Sequence, residues 1–384
     1  MDHTPRHQST RFGVQILLQR NEQIRMKRYT GLWEEIVNFE SLYSAYEDAR
    51  KGRRFKPEIM VSSARIEEII YQLIFDLNTG EWRSQPYYDF ESRAETKRRI
   101  INAPTFRDRI LHHAIVTVVR PLFEKKFIYD SYASRRGKGT HKACKRLKHF
   151  LLSAAANGEA VYVLQCDIHH YYQSIDHDVL KKLIRQTIAD RRLLEVWDRI
   201  IDGYNGDTGK GIPIGALTSQ LSANIYLNIL DHFVKECMQV KRYLRYMDDF
   251  VIVANDKETL SGYLADIKWL LECHLKLKLN PKTKIFPASR GVDFAGFRTF
   301  MDRTLPRKRN IKAAKKRFKE LSWKYRHHQA NLEDVKPRVA SFLGYVKHCR
   351  ARKSTISTLK WLKCQRGEKK NGNKAGFNHH HHGK

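Results

Sequence analysis

The stretch RYLRYMDDFVIVAND, residues 242–256, places two adjacent carboxylates, Asp248 and Asp249, between two short apolar runs in a strongly basic chain. Adjacent acids in a hairpin are ordinarily turn residues. Here the flanks RYLRY and FVIVA would bury their strands, so Asp248 at the bend points toward the end of a sheet. A second stretch, VYVLQCDIHHYYQSID at 161–176, begins as a continuous apolar strand and runs into polar and aromatic residues. That is the pattern of a buried strand delivering side chains to a site at its end, and it carries Asp167 there. Converging carboxylates repel unless a cation lies between them. Hard oxygen ligands suggest Mg²⁺, with Mn²⁺ as a substitute, held by a few carboxylates and the substrate's phosphates. Two such ions about 4 Å apart suit activation of a 3′-hydroxyl and stabilisation of departing pyrophosphate. A metal-dependent phosphohydrolase would use the same acids, with His169, His170, Asp176, His177 and Asp178 as further ligands, but these follow no H-E-x-x-H spacing.

The rest of the composition points to a polyanionic partner. In 384 residues, 72 Lys and Arg stand against 41 Asp and Glu, a formal charge of +31. Such an excess favours nucleic acid through counterion release and steering. No apolar run approaches the roughly 18–20 residues of a membrane span, and the N-terminus MDHTPRHQSTRFGV has no signal-peptide core, so no membrane partner and a cytoplasmic location are expected. Six cysteines lie far apart with no C-x-x-C pair, so neither a zinc site nor a disulfide framework is suggested. The length allows two or three compact units.

Along the chain, residues 1–30 read as a basic arm and 31–160 as a mixture of helix and strand. Gly80 is placed to end a helix over ARIEEIIYQLIFDLNTGEW. Residues 161–302 combine antiparallel strands with helices packed on one side, an α+β domain. Within them, the turn-rich loop DGYNGDTGKGIPIG, residues 202–215, leads into a long helical pattern, and 205–224 is expected to contribute partly to the preceding domain and to a nucleotide pocket. From 303 to 360 the composition shifts. PRKRNIKAAKKRFKELSWKYRHH carries ten Lys/Arg and one acid, Glu320, while Phe318, Leu321 and Tyr325 recur at helical spacing. The tail, 361–384, is polar and Gly/Asn-rich, ends in a four-His run, and is expected to be disordered.

Taken in order, these stretches resemble the palm motifs of reverse transcriptases. D-I-x-x-Y-Y-x-S-I-D-H resembles the first motif, I-G-x-x-T-S-Q-x-x-A-N-x-Y-L the second and Y-M-D-D the third, with Asp248 lying 81 positions after Asp167. GVDFAGF resembles the primer-grip hairpin, which implicates Phe294 and Gly296. The similarity covers about residues 90–350. Within the superfamily, Ser219-Gln220 in the second motif, together with FRDRILHHAIVTVVRPLFEKKFIYDSYASRRGKGTHKA, is most similar to enzymes of diversity-generating retroelements. No maturase- or endonuclease-like extension follows residue 360, which points away from intron-encoded enzymes. The resemblance implies a right-hand fold with fingers at 31–160, a palm at 161–302 and a basic helical thumb at 303–360. It also implies an RNA-directed DNA polymerase that makes error-prone cDNA, with a template-repeat RNA, a cDNA primer strand, deoxynucleoside triphosphates and a small accessory variability protein as partners.

Site residues follow from both readings. Asp167 and Asp248 are expected to bind two Mg²⁺ ions, with the Ile168 carbonyl as a further ligand and Asp249 as a weaker one. Tyr172 matches the family position beneath the incoming sugar, and Lys97 and Arg99 match fingers positions that hold the triphosphate. Strand alternation places Lys97 and Arg99 on one face and Arg98 on the other. Gly215 permits close backbone approach to the nascent base pair. Ser219, Gln220 and Asn224 are spaced to touch substrate or template from one helix. Ile214 stands where retroviral relatives place a polar glutamine, which is expected to loosen selectivity. Arg135, Arg136, Lys138 and Lys142 are expected on template phosphates. The helix bearing Lys308, Lys312 and Lys316 is expected to follow a hybrid minor groove by shape. Lys282 and Lys284 are further candidates, as proton donors to pyrophosphate.

Overall fold

A computed structural model of the chain describes residues 28–92, 99–204 and 208–366. It divides into two compact units, one ending at Arg303 and the other beginning at Thr304. The first unit opens with four helices, α1 (Leu32–Ile36), α2 (Phe39–Arg50), α3 (Pro57–Ala64) and α4 (Ile66–Thr79). Gly80, at φ 74°, ends α4 in the left-handed conformation that glycine adopts without cost. Strands β1 (Tyr88–Ser92) and β2 (Arg99–Ala103) then pair antiparallel, Tyr88 opposite Ala103. Helices α5 (Phe106–Glu124) and α6 (Thr140–Ala154) lead to β3 (Tyr162–Asp167), followed by α7 (Tyr171–Ser174), α8 (His177–Arg185), α9 (Arg191–Asp202) and α10 (Leu217–His232). The unit closes with β4 (Tyr243–Tyr246), β5 (Asp249–Ala254), α11 (Lys257–His274), β6 (Lys284–Pro287), β7 (Val292–Phe294) and β8 (Phe297–Thr299). Side-chain caps start several of these helices. Thr105, Asp176, Asp190 and Asp256 each accept from a backbone N–H three residues on.

The central sheet runs β4-β5-β3-β6 with every pair antiparallel. Alternation along the strands sorts the side chains. Leu164, Cys166, Tyr243, Phe250 and Ile252 enter a core that also contains Trp33, Leu73, Val119 and Leu271, so residues 31–160 and 161–302 share one hydrophobic interior. Val163, Leu244 and Val251 project from the opposite face and are equally buried. The sheet is therefore covered on both faces, not one. Helix α6 packs on β4 and β5, and Phe294 of the β7–β8 hairpin meets Tyr246 edge to face at 6.5 Å.

On the edge strand of the sheet lies a buried charge. Arg245, on β4, is wholly buried against the equally buried Asp231 of α10. Its Nε and Nη2 donate to the two carboxylate oxygens at 2.8 and 2.6 Å. The remaining donors reach Asn224 Oδ1, Met247 O and Ser131 Oγ. Tyr243 adds a hydroxyl bond to Asp231 at 2.6 Å. The five N–H groups of the guanidinium thus tie together α10, the 130–133 segment and the turn after β4. Burial opposes the Arg245 charge, but Asp231 outweighs it and holds the pKa above its ordinary value.

The second unit contains β9 (Thr304–Pro306), α12 (Lys308–Arg326), α13 (Leu332–Val346) and α14 (Arg352–Leu359). Phe318 meets Phe342 edge to face at 5.4 Å, and Leu321 and Tyr325 pack with Val335. The buried stripe expected on α12 is present, and Lys308, Lys312 and Lys316 are exposed. Part of the expected tail is ordered onto this unit, because the Arg366 guanidinium donates to the carbonyls of Tyr325 and Ala330 and lies 4.1 Å from the Tyr325 ring. Residues 367–384 lie outside the described residues, as do 1–27 of the basic arm and 205–207 of the turn-rich loop.

Two measurements test this core. Arg245→Ala and Asp231→Ala should each destabilise the first unit by about 3–5 kcal/mol in urea unfolding, because each leaves a buried charge unpaired. The double variant should cost clearly less than the sum, and additive costs would show the pair to be uncoupled. His112 of α5 is fully buried with Nδ1 2.9 Å from Thr218 Oγ1, and burial pushes its pKa from 6.5 down to about 3. The unfolded chain therefore takes up a proton that the folded one refuses. Stability is full above about pH 6.5 and falls as pH drops toward 3, at up to about 1.4 kcal/mol per pH unit. His112→Gln should flatten that slope.

Candidate active site

The acids expected from the sequence arrive at one end of the central sheet. Asp167, the last residue of β3, stands directly opposite Asp249, the first of β5. Tyr246 pairs with Asp249, so β4 and β5 are joined by the two-residue turn Met247-Asp248. The Ile168 N–H donates to the Asp248 carbonyl at 3.3 Å, which fixes that turn against the end of β3. Met247 has φ 59°, a left-handed conformation unfavourable for a residue with a side chain. Its carbonyl accepts from Arg245 Nη1 at 2.9 Å, so the buried guanidinium holds the turn in place. Asp167, Asp248 and Asp249 are all partly exposed.

Two amides orient the carboxylates. Asn280 donates from Nδ2 to Asp167 Oδ2 at 3.0 Å, and its backbone N–H reaches the Asp167 carbonyl at 2.7 Å. Gln165, on the same face of β3, donates to Asp249 Oδ1 at 3.5 Å and to the Asp293 carbonyl at 2.6 Å. It thereby links β5 to the β7–β8 hairpin. Among the described residues no three His, Cys, Asp or Glu side chains gather closely enough to hold a metal ion by themselves. Carboxylates from neighbouring strands, with room for substrate oxygens, are nevertheless the donor set that Mg²⁺ uses when phosphates complete its shell. Asp167 and Asp248, with the Ile168 carbonyl beside them, fit that role.

Tyr172 lies beside the same turn, its hydroxyl 3.8 Å from Met247 Sδ. Its carbonyl accepts from the Ile212 N–H at 2.9 Å, which anchors the loop leading to Ile214 and Gly215. That loop is bound in turn to β2. The Asn102 N–H donates to the Ile214 carbonyl at 2.8 Å, and the Ile214 N–H donates to Asn102 Oδ1 at 3.3 Å. A Cβ at Gly215, where φ is 132°, would come within 2.8 Å of the Ile101 side chain and 3.1 Å of the Asn102 carbonyl. The close approach that Gly215 permits in the chain itself is therefore to β2. Arg99 pairs by its backbone with Ser92 on that hairpin, whereas Lys97 lies outside the described residues. Gln220 is half-buried one turn into α10.

Several residues expected on template or primer have other roles. Asn224 is 1% exposed, with its amide committed to the Ala133 carbonyl and to Arg245, and Ser219 is 3% exposed. Both lie on the inner side of α10, because helical spacing alone does not say which side of a buried helix faces a ligand. Arg135 turns inward to Glu124 and the carbonyls of Ile128 and Ser131. Phe294 is fully buried, leaving the Ala295-Gly296 turn, at φ 45° and 92°, as the tip of its hairpin. Arg136 and Lys142 are exposed. Lys138 lies 3.4 Å from the Tyr129 ring, and Lys142 donates to the Gly137 carbonyl at 2.5 Å. Of the extra ligands a phosphohydrolase would need, Asp176 caps α8 and pairs with Lys276 at 2.7 Å, while His177 Nε2 lies 2.7 Å from the Gly211 carbonyl.

Sequence reading missed Arg245, Asp231, Asn280, Gln165 and Asn102. Asn280 precedes Pro281 after an alternating Leu/Lys run, which reads only as a turn, and its contact with Asp167 is long-range.

Comparison with known proteins places this geometry in a family. Residues 91–299 match the family described as reverse transcriptase (RNA-dependent DNA polymerase). Protein YkfC of Escherichia coli (strain K12) is 28% identical over 251 residues, covering 55% of this chain and 66% of that protein. The group II intron-encoded protein LtrA of Lactococcus lactis subsp. cremoris is 24% identical over 362 residues, covering 75% of this chain and 59% of that protein. The chain thus spans less than two thirds of the length of either relative. Among solved structures, apo telomerase from Candida tropicalis aligns with a TM-score of 0.45 at 13% identity, over 78% of this chain and 64% of that one. With more than half of its length matched by the family and the motif acids assembled at one sheet end, the chain belongs to the reverse transcriptase (RNA-dependent DNA polymerase) family.

Proposed function

We propose that the chain is an RNA-directed DNA polymerase whose chemistry takes place at the end of β3. The observation that carries this reading is the ladder pairing of Asp167 with Asp249, with Asp248 locked in the adjoining turn by Ile168. Bound divalent cations supply activation of the primer 3′-hydroxyl and neutralisation of the departing pyrophosphate. Asp167 and Asp248 hold them, Asn280 keeps the Asp167 carboxylate in one orientation, and Asp249 is the weaker ligand. Tyr172 sits beside the turn as the aromatic floor against which a 2′-hydroxyl would clash, which selects deoxynucleotides. The family resemblance assigns the triphosphate to Lys97 and Arg99, with the guanidinium as a bidentate partner. Arg136, Lys138 and Lys142 face template phosphates, and Lys308, Lys312 and Lys316 present an exposed basic row to a hybrid duplex.

Within this reading, Ile214 and the Ser219-Gln220 pair support error-prone copying of a template-repeat RNA in a diversity-generating retroelement, with a small accessory variability protein as partner. The match to an intron-encoded protein favours a second reading, a group II intron-type enzyme.

Asp248→Asn should lower primer extension on an RNA template by roughly three orders of magnitude, the scale set by losing charge stabilisation at a reacting centre, with an unchanged melting temperature. Undiminished extension would remove Asp248 from the site, and no extension by the wild type would remove the polymerase reading. Sequencing of the cDNA separates the two element types. Misincorporation concentrated opposite template adenines is expected of the first, and adenines copied as faithfully as the other bases would leave the second.

A further inference from the structure

Asn102, on β2, is only 6% exposed, and its amide is the meeting point of three segments far apart in sequence. Nδ2 donates to Asp89 Oδ1 at 2.6 Å, across the β1–β2 ladder in which the two residues stand opposite each other. Oδ1 accepts twice, from the Tyr204 hydroxyl at 3.2 Å, just past the end of α9, and from the Ile214 N–H at 3.3 Å. The Asn102 N–H in turn donates to the Ile214 carbonyl at 2.8 Å. One residue thus holds both polar groups of the Ile214 main chain, as a paired strand residue would, with a side chain supplying one half of the pair. Asp89 decides which way the amide points. As a carboxylate it only accepts, so it draws Nδ2 to its own side and leaves Oδ1, with both lone pairs in use, for Ile214 and Tyr204. The loop is tied at its other end to the acids, where the Gly211 N–H donates to the Ile175 carbonyl at 2.8 Å and the Ile212 N–H to the Tyr172 carbonyl at 2.9 Å. Pro213, between the two attachments, has no N–H to give.

We propose that Asn102 is a positioning residue for nucleotide selection, one that fastens the loop carrying Ile214 to the β1–β2 hairpin so that the two flank an incoming deoxynucleotide as one body. It acts through Ile214 and Gly215 and touches no substrate itself. A Cβ at Gly215 would come within 3.1 Å of the Asn102 carbonyl, so the loop lies as close to β2 as a main chain allows. Loss of the amide oxygen leaves the Ile214 N–H and the Tyr204 hydroxyl without their acceptor and frees the loop from the hairpin. The matched nucleotide, which needs the loop in one place, is then held less well, and a mismatched one loses little. This role rests on the polymerase reading.

Single-deoxynucleotide incorporation on an RNA template, together with amide hydrogen exchange of residues 211–217, tests it on the full chain. Asn102→Ala should raise KM for the matched deoxynucleotide about 10-fold while kcat changes less than about 2-fold, the scale of one lost hydrogen bond whose partners stay unpaired. The preference for matched over mismatched nucleotide should fall in the same proportion, and the Ile214 amide should exchange faster. Asn102→Asp keeps the acceptor for Ile214 but sets two carboxylates opposite each other on the hairpin, so it should show the same losses. Asn102→Asp/Asp89→Asn reverses the direction of the cross-strand bond and should return KM and preference to within about 2-fold of the wild type. A double variant no better than Asn102→Asp would overturn the role. So would a fall in kcat and melting temperature with KM and mismatch preference unmoved, the mark of a residue that only supports the fold. Hydrogen exchange keeps the two readings apart. If the wild type makes no DNA, the polymerase reading fails; faster exchange at Ile214 in Asn102→Ala then still upholds the clamp, and unchanged exchange sinks it as well.

Discussion

The buried ion pair between Arg245 and Asp231 is the constraint on which the rest of the first unit depends. Two charges withdrawn from water carry a desolvation penalty of several kcal/mol each, and only near-ideal geometry offsets it. Here the carboxylate is gripped at both oxygens and the remaining donors are satisfied by Asn224, Met247 and Ser131. A lysine offers a point charge with three donors and could not span these partners. The pair therefore does more than stabilise. It sets the direction of the turn carrying Asp248, and through the 130–133 segment it fixes where the Arg135–Lys142 loop begins.

Of the seven non-glycine residues with positive φ among the described residues, three lie around the same place. Met247, His170 and Ala295 each adopt a left-handed conformation although none is glycine, at φ 59°, 44° and 45°. Each such residue costs on the order of 1–3 kcal/mol and persists only where its surroundings leave no alternative. The first lies in the turn of the acids, the second three residues beyond Asp167, and the third at the tip of the hairpin tied to β5 by Gln165. Behind the strands that lead to the first two lie the fully buried Phe250, Ile252 and Leu164.

The acids were legible in the sequence because their chemistry is rare in that pattern, with charge at the ends of otherwise apolar strands in a cationic chain. The α+β class, the β4–β5 hairpin, the helix ending at Gly80 and the buried stripe of α12 were legible for the same reason, since periodicity and turn residues report local geometry directly. What escaped was long-range. Nothing local distinguishes Arg245 from any arginine at a strand position, and its partner lies 14 residues earlier on another element. Asn224 and Ser219 were misplaced because α10 is buried around most of its circumference, so spacing along it carries no label for the side that meets a ligand. Arg135 reads as one more loop cation, yet it folds inward while its neighbour Arg136 does not.

The Gln165 amide, which spans Asp249 and the Asp293 carbonyl, makes the strand bearing the acids and the β7–β8 hairpin a single mechanical body. A ratchet that advanced by bending one against the other would have to break that staple at every cycle. Bending of the hairpin would be carried through Gln165 into the strand that bears Asp249, so the hairpin and the acid move together.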